Sequence, residues 1–565
     1  MMKKPGNITI EQHARARGLE FQAHANLDSL QRIFTIPESS GATLAKIDAD
    51  ISSNLDGFLH EHIVAVEKEL SLIETAFASA EIPDQPYYVS AYTDFILKHL
   101  VAQSVRTSAP GFVGHMTSAL PYFMIPLAKI VTALNQNLVK VETSKAFTPL
   151  ERQVLGMIHN LTFRESDAFY QRWIHNPNIA LGAFCSGGTV ANITALWVAR
   201  NHLLGDKAVA RKGLHGALLE SGLKGLVILG SRRGHYSLAK AADLLGIGRD
   251  NLVTIDTDDR YRVDAAELRR RALELQAGGY GILAIVGLAG ATETGSVDPL
   301  DELGEVAREV GCHYHVDAAW GGPTLFSENY SGRLKGIELA DSVTIDAHKQ
   351  FYVPMGVGMV MFRDPQRVAS IEHHADYIIR KGSKDLGSHT LEGSRPGMAL
   401  LVHAGLNIIG RRGYELLIDQ GIDKARYFAE LIEEHPDFEL IVQPELNILG
   451  YRFVPARLQH KLVAASREEQ QFINSELDRV TRLLQKAQRA AGQSFVSRTR
   501  VDCRVYAGDV LTIFRVVLAN PLTTHDVLRA VLVEQCELAR RRDVQQIIEA
   551  LTSVDESGPS ARVGL

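Results

Sequence analysis

The chain has 565 residues, enough for two or three hydrophobic cores, and its 45% hydrophobic and 22% charged content excludes a disordered or fibrous protein. A formal net charge of -6 offers no global attraction to nucleic acid or anionic lipid, so a small-molecule substrate is expected. Cys185, Cys312, Cys503 and Cys536 are widely separated without a CxxC pair, which excludes a disulfide framework or a cysteine zinc site and points to a reducing compartment.

Residues 1–145 predict an N-terminal helical arm, polar at first and later punctuated by Pro83, Pro86, Pro110, Pro121 and Pro126. The opening residues lack the apolar run of a secretory signal, and no stretch is long and apolar enough for a bilayer. The cytoplasm is therefore the expected location. Residues 146–410 alternate short apolar runs with amphipathic windows, the pattern of a large α/β domain with a mainly parallel sheet. Strands are predicted at 226–229, 252–255, 282–288, 313–316, 342–345 and 357–362. Helices are predicted at 189–204, 237–245 and 264–276, with Asp264 as N-cap of the last. Residues 411–550 supply long helical windows (413–434, 468–491 and 524–541) around short strands such as 511–518, a small C-terminal α+β domain. Residues 551–565 read as a flexible tail.

Chemistry is expected where apolar strands hand over to loops, because open α/β sheets bind ligands at strand carboxyl ends. Lys349 follows the 342–345 strand in Asp346-Ala347-His348-Lys349. A lysine taken alone is nearly always a solvated surface charge, so its neighbours decide. Asp317, in His315-Val316-Asp317-Ala318-Ala319-Trp320-Gly321-Gly322, ends another strand beside small residues that admit a planar ring. Its carboxylate could keep a pyridine nitrogen protonated. Ser186-Gly187-Gly188-Thr189 opens a helix, where free N–H groups and the helix dipole favour a phosphate. His235, after the 226–229 strand, could stack on the ring, and Thr292, in Gly290-Ala291-Thr292-Glu293-Thr294-Gly295, could reach its edge. Each motif alone also suits an ordinary cap or turn. Together they fit around one phosphorylated aromatic aldehyde.

At these residues the sequence resembles the group II amino acid decarboxylases dependent on pyridoxal 5'-phosphate (PLP), with SGGTVAN, GHYSLAKAA, GATETGSVDPL, HVDAAWGG and DAHK in that family's order. The resemblance extends to the FRVVLANPLTT segment beginning at Phe514. It implies a fold-type I, aminotransferase-like architecture and a homodimer with active sites at the subunit interface. It also implies a Schiff base at Lys349, a pyridinium partner at Asp317, ring stacking by His235, and cofactor contacts from Gly188, Thr189, Thr292 and His348. The text SAPGFVGHMTSALPYFMIPL most resembles a bacterial branch of PLP-dependent aspartate 1-decarboxylases, which make β-alanine. Glutamate or cysteine sulfinate is the alternative substrate, followed by carbon-carbon lyase chemistry. A non-catalytic relative would need a broken cofactor set, and the set is intact.

An acidic substrate needs a cation. Arg395, in Glu392-Gly393-Ser394-Arg395-Pro396-Gly397, is one candidate, although it suits a buried structural arginine equally, and His115 is a second substrate-side candidate. Asp346 stands where many relatives carry Asn, and a carboxylate so near a phosphate predicts a side chain that points elsewhere. The loop 380–388 lacks the tyrosine that glutamate and aromatic decarboxylases use as proton donor, which leaves His348 and Tyr377 as candidates. His60-Glu61-His62, His313-Tyr314-His315 and His373-His374 lack further ligands, so no metal is expected.

Overall fold

A computed structural model describes residues 43–63, 68–205, 207–375, 379 and 382–553. Two compact units emerge, one of residues 1–107 with 487–494, the other of 108–486 with 495–565. The first carries short helices, among them Thr43–Ser53, Leu55–His62, Leu70–Glu74 and Val89–His99. Asn54 caps the second of these by accepting from Gly57 N–H at 3.0 Å. Phe95 is buried against Phe77 and Tyr92.

The second unit is built on two sheets. The larger has seven strands: β1 (Gly182–Cys185), β2 (Leu226–Ser231), β3 (Leu252–Ile255), β4 (Gly281–Leu288), β5 (His313–Asp317), β6 (Ser342–Asp346) and β7 (Gly358–Phe362). Their order is β1-β7-β6-β5-β4-β2-β3. The five strands β3, β2, β4, β5 and β6 run parallel, and β7 pairs antiparallel with both β6 and β1. Strands β2, β4, β5 and β6 are buried along their whole length, which explains the near-continuous apolar runs of β2 and β4. The helix Leu300–Val310 buries Leu300, Leu303, Val306, Ala307 and Val310 at three- and four-residue spacing. Gly311 ends it at φ +68°. Asp264 caps the helix Ala265–Ala277 by accepting from Glu267 N–H at 3.0 Å. This is the α/β class expected from the alternating pattern.

The smaller sheet is antiparallel, in the order β10-β11-β9-β8, from β8 (Phe438–Val442), β9 (Ile448–Phe453), β10 (Ser497–Cys503) and β11 (Asp509–Val517). Long helices Gly410–Glu434 and His525–Ala539 accompany it, close to the predicted windows. The last described helix runs to Ser553 with Leu551 buried, so its order reaches three residues into the segment read as a tail. Residues 554–565 lie outside the described residues.

Candidate active site

The parallel strands deliver their carboxyl ends to one edge of the large sheet. Asp317 closes β5, Asp346 closes β6 with Lys349 three residues on, and His235 follows β2. A cleft of about 290 Å³ opens there. Gly188, Thr189, His235 and Thr292 line it, as do Asp317, His348 and Lys349.

The glycine turn enters the helix Gly188–Leu204, whose N-cap Gly187 supplies no side-chain cap, so the first-turn N–H groups face the cleft without one. Ser186 N–H already donates to an anionic oxygen, Oε2 of Glu392, at 3.0 Å. The uncapped N–H groups of the first helical turn, rather than that of Ser186, are the ones that fit a phosphate. His348 donates Nδ1–H to the Val357 carbonyl at 2.8 Å, which turns its Nε2 toward Asp346 Oδ2 at 3.8 Å.

A polar chain that the sequence motifs did not reveal supports Asp317. Asn192 Nδ2 donates to Asp317 Oδ2 at 2.8 Å and to Ser237 Oγ at 2.9 Å, and Asp317 Oδ1 accepts from Ala319 N–H at 3.2 Å. Behind Asn192, His315 Nε2–H donates to the amide oxygen at 3.0 Å, and His315 Nδ1 accepts from Ser342 Oγ at 2.8 Å. Ser342 in turn accepts from His313 Nε2–H at 2.7 Å. Burial pushes the pKa of His313 down to about 3 and that of His315 to about 4, so both are neutral at physiological pH, as this donor order requires. On the other branch, Ser237 Oγ lies 2.8 Å from His235 Nδ1. One asparagine thus braces both Asp317 and His235. Burial also lowers the His235 pKa, although Asp317 opposes the shift, and a neutral imidazole is the form suited to lying flat on an aromatic ring.

Thr292 is tied to the other sheet, because its carbonyl accepts from Arg515 Nε at 2.7 Å. Arg515, on β11, is 8% exposed, and its Nη2 is buried without a hydrogen-bond partner. Burial pulls its pKa down to about 10, partly countered by Glu293, so it remains a cation at neutral pH. Sequence reasoning missed it because it sits inside an ordinary apolar strand. His115 lies within electrostatic reach of both: local desolvation, then the charges of Arg515 and Lys349, lower its pKa. Arg515 itself is not among the residues lining the cleft and reaches it through Thr292, which is; the arginine that does line it, Arg233, is paired with Glu293 at 2.8 Å and with Asp502.

Arg395 is not among the residues lining this cleft. Its two terminal nitrogens grip both oxygens of the buried Glu151, the structural alternative raised from sequence. Asp346 does not point elsewhere either. Its Oδ2 lies 3.0 Å from Lys349 Nζ, because Lys349 stands one helical-type turn beyond it and draws the carboxylate inward. Tyr377 lies outside the described residues. Of the histidine pairs, His313 and His315 are spent on the polar chain, His374 Nε2 lies 3.1 Å from Glu372, and His60 contacts Arg106.

Residues 78–454, more than half of the chain, match the pyridoxal-dependent decarboxylase conserved domain. The chain belongs to this family. The enzyme is 57% identical over 526 residues to the aspartate 1-decarboxylase of Aliivibrio fischeri (strain ATCC 700601 / ES114), covering 92% of this chain and 96% of that one. It is 27% identical over 430 residues to the cysteine sulfinic acid decarboxylase of Mus musculus, covering 75% and 80%. Among solved structures, mouse CSAD in apo form superposes with a TM-score of 0.74 at 25% identity, covering 90% of this chain and 98% of that one. Oryza sativa TDC with PLP and tryptamine shares the fold at 19% identity, with a TM-score of 0.74 and coverage of 94% and 100%. PLP is accordingly the cofactor, and the enzyme is a carboxy-lyase.

Proposed function

We propose that the enzyme decarboxylates L-aspartate, releasing carbon dioxide and leaving β-alanine, with PLP carried on Lys349. The observation that supports an acidic substrate is Arg515, a buried cation whose Nη2 has no protein partner, beside the loop of Thr292. A substrate carboxylate would satisfy it. Aspartate is favoured over glutamate or cysteine sulfinate by the 57% identity to the Aliivibrio fischeri protein.

When bound, PLP supplies an aldehyde that condenses with amines and a ring that accepts the electron pair left by the departing carboxylate. The protein's part is orientation and charge. Asp317, held by Asn192 and Ala319, would keep a proton on the ring nitrogen, and His235 would cover one ring face. The first turn of the helix Gly188–Leu204, with Thr189, would take the phosphate. Lys349 Nζ and His348 Nε2, which both approach Asp346 Oδ2, are the groups that would hand a proton to the reacting carbon.

We further infer a homodimer. Leu70, Leu72, Tyr92 and Leu100 in the first unit are all more than 45% exposed, an apolar set that a partner subunit would cover. A cytoplasmic location is supported by four free cysteines and, among the described residues, by the absence of a helix long and apolar enough to cross a membrane. The test of the substrate is to supply the purified enzyme with PLP and offer L-aspartate, L-glutamate, cysteine sulfinate and aromatic amino acids. β-Alanine from aspartate should form with the highest kcat/KM; faster turnover of any other substrate rejects the assignment.

A further inference from the structure

Asp346 ends β6 with its side chain only 4% exposed, and its two oxygens are treated differently. Oδ2 lies 3.0 Å from Lys349 Nζ and 3.8 Å from His348 Nε2, whereas Oδ1 is buried with no hydrogen-bond partner. Two glycines pack directly against it. A Cβ on Gly188 would lie 2.8 Å from Oδ2, and a Cβ on Gly358 would lie 2.6 Å from Oδ1. Gly188 is also the first residue of the helix whose N-terminus is suited to the cofactor phosphate. A fixed carboxylate with an unpaired oxygen therefore abuts the place where a phosphate dianion would sit. Glu392 also approaches the turn, but from a longer and partly exposed side chain.

An unpaired buried oxygen is costly, and like charges a few ångströms apart disfavour one another. The ion pair with Lys349 offsets part of this cost only while the lysine is an ammonium. Covalent attachment to the cofactor removes that freedom. We infer that Asp346 is a built-in counter-charge of the cofactor site: it stabilises Lys349 as an ion pair before PLP enters and opposes the phosphate afterwards, so that PLP is held less tightly and exchanges faster than it would beside an amide. This rests on the assignment of Lys349 and the Ser186–Thr189 turn to PLP.

The test compares Asp346→Asn with the parent as full-length apoenzyme, titrated with PLP and, separately, with pyridoxal, which lacks the phosphate. Binding is read from visible absorbance, and release from the rate of PLP transfer to an excess of a PLP-binding trap protein. Asp346→Asn should tighten PLP on the order of tenfold to a hundredfold and slow its release, with a clearly smaller gain for pyridoxal, which feels only the loss of the ion pair. Unchanged or weaker PLP binding overturns the inference. An equal gain for PLP and pyridoxal also overturns it, because the effect would then act through the lysine alone. Should Asp346→Asn fold poorly, Lys349→Ala and Lys349→Ala/Asp346→Asn measure non-covalent PLP binding without the ion pair, and the double variant should bind tighter. A parent that takes up no PLP removes the Lys349 assignment and the inference together, whereas a parent that binds PLP alongside an Asp346→Asn that binds no tighter removes the inference alone.

Discussion

Arg395 and Arg515 are both arginines withdrawn from water, and their surroundings differ in one respect. Arg395 meets a buried carboxylate, Glu151, with both ends of its fork. Arg515 meets carbonyl oxygens, of Thr292 at 2.7 Å and Gly114 at 3.5 Å, and keeps Nη2 unpartnered. Arg395 also has an unpartnered nitrogen, Nε, but a buried cation with its own counter-ion is neutralised and serves the fold. One that lacks a counter-ion in direct contact and stands beside a cleft residue is the kind that a ligand carboxylate would complete, the role proposed for Arg515. Burial alone does not separate the two; the missing carboxylate does.

That contrast breaks most visibly if Arg395 is neutralised. Arg395→Gln leaves Glu151 buried and unpaired, and should cost about 3–5 kcal/mol of stability in denaturant unfolding while leaving kcat/KM of the folded enzyme near the parent value. Arg515→Gln should do the reverse. Its kcat/KM for aspartate should fall roughly a hundredfold to a thousandfold, about 3–4 kcal/mol, with little change in melting temperature, since no protein ion pair is lost. Equal effects of the two variants on stability and turnover would erase the distinction. Removing both charges of the structural pair, in Glu151→Gln/Arg395→Gln, should recover most of the stability lost by the single variant, which a double-mutant cycle measures.

A smaller effect concerns pH. His159 is fully buried, donates Nε2–H to the Phe362 carbonyl at 3.1 Å and accepts from the Tyr170 hydroxyl at 3.0 Å, and burial pushes its pKa down to about 4. Below pH 6.5 the unfolded chain gains a proton that the folded protein refuses. The stability from this group is thus present above pH 6.5 and lost progressively toward pH 4, by up to about 3 kcal/mol. Denaturant unfolding of His159→Gln should accordingly fall less steeply than the parent across that window.

The same contrast explains what the sequence disclosed. Lys349, Asp317, His235 and Thr292 were legible because each follows an apolar strand, and a parallel sheet gathers strand carboxyl ends at one edge. Asn192, which links Asp317 to His235 through Ser237, reads in sequence as one more residue of a helix, and only the helix's placement against β5 gives it a role. Arg515 is reached from the second sheet, and its register opposite Ser497 and Gly450 is a tertiary fact. The partner of Arg395 lies 244 positions away, so nothing in the local turn text indicated that its charge was already matched.

The most direct test of the central claim, that Lys349 carries the cofactor at this sheet edge, is to reduce the PLP-loaded enzyme with borohydride and map the modified peptide. The phosphopyridoxyl group should be found on Lys349; a label on another lysine, or no label, would contradict the account.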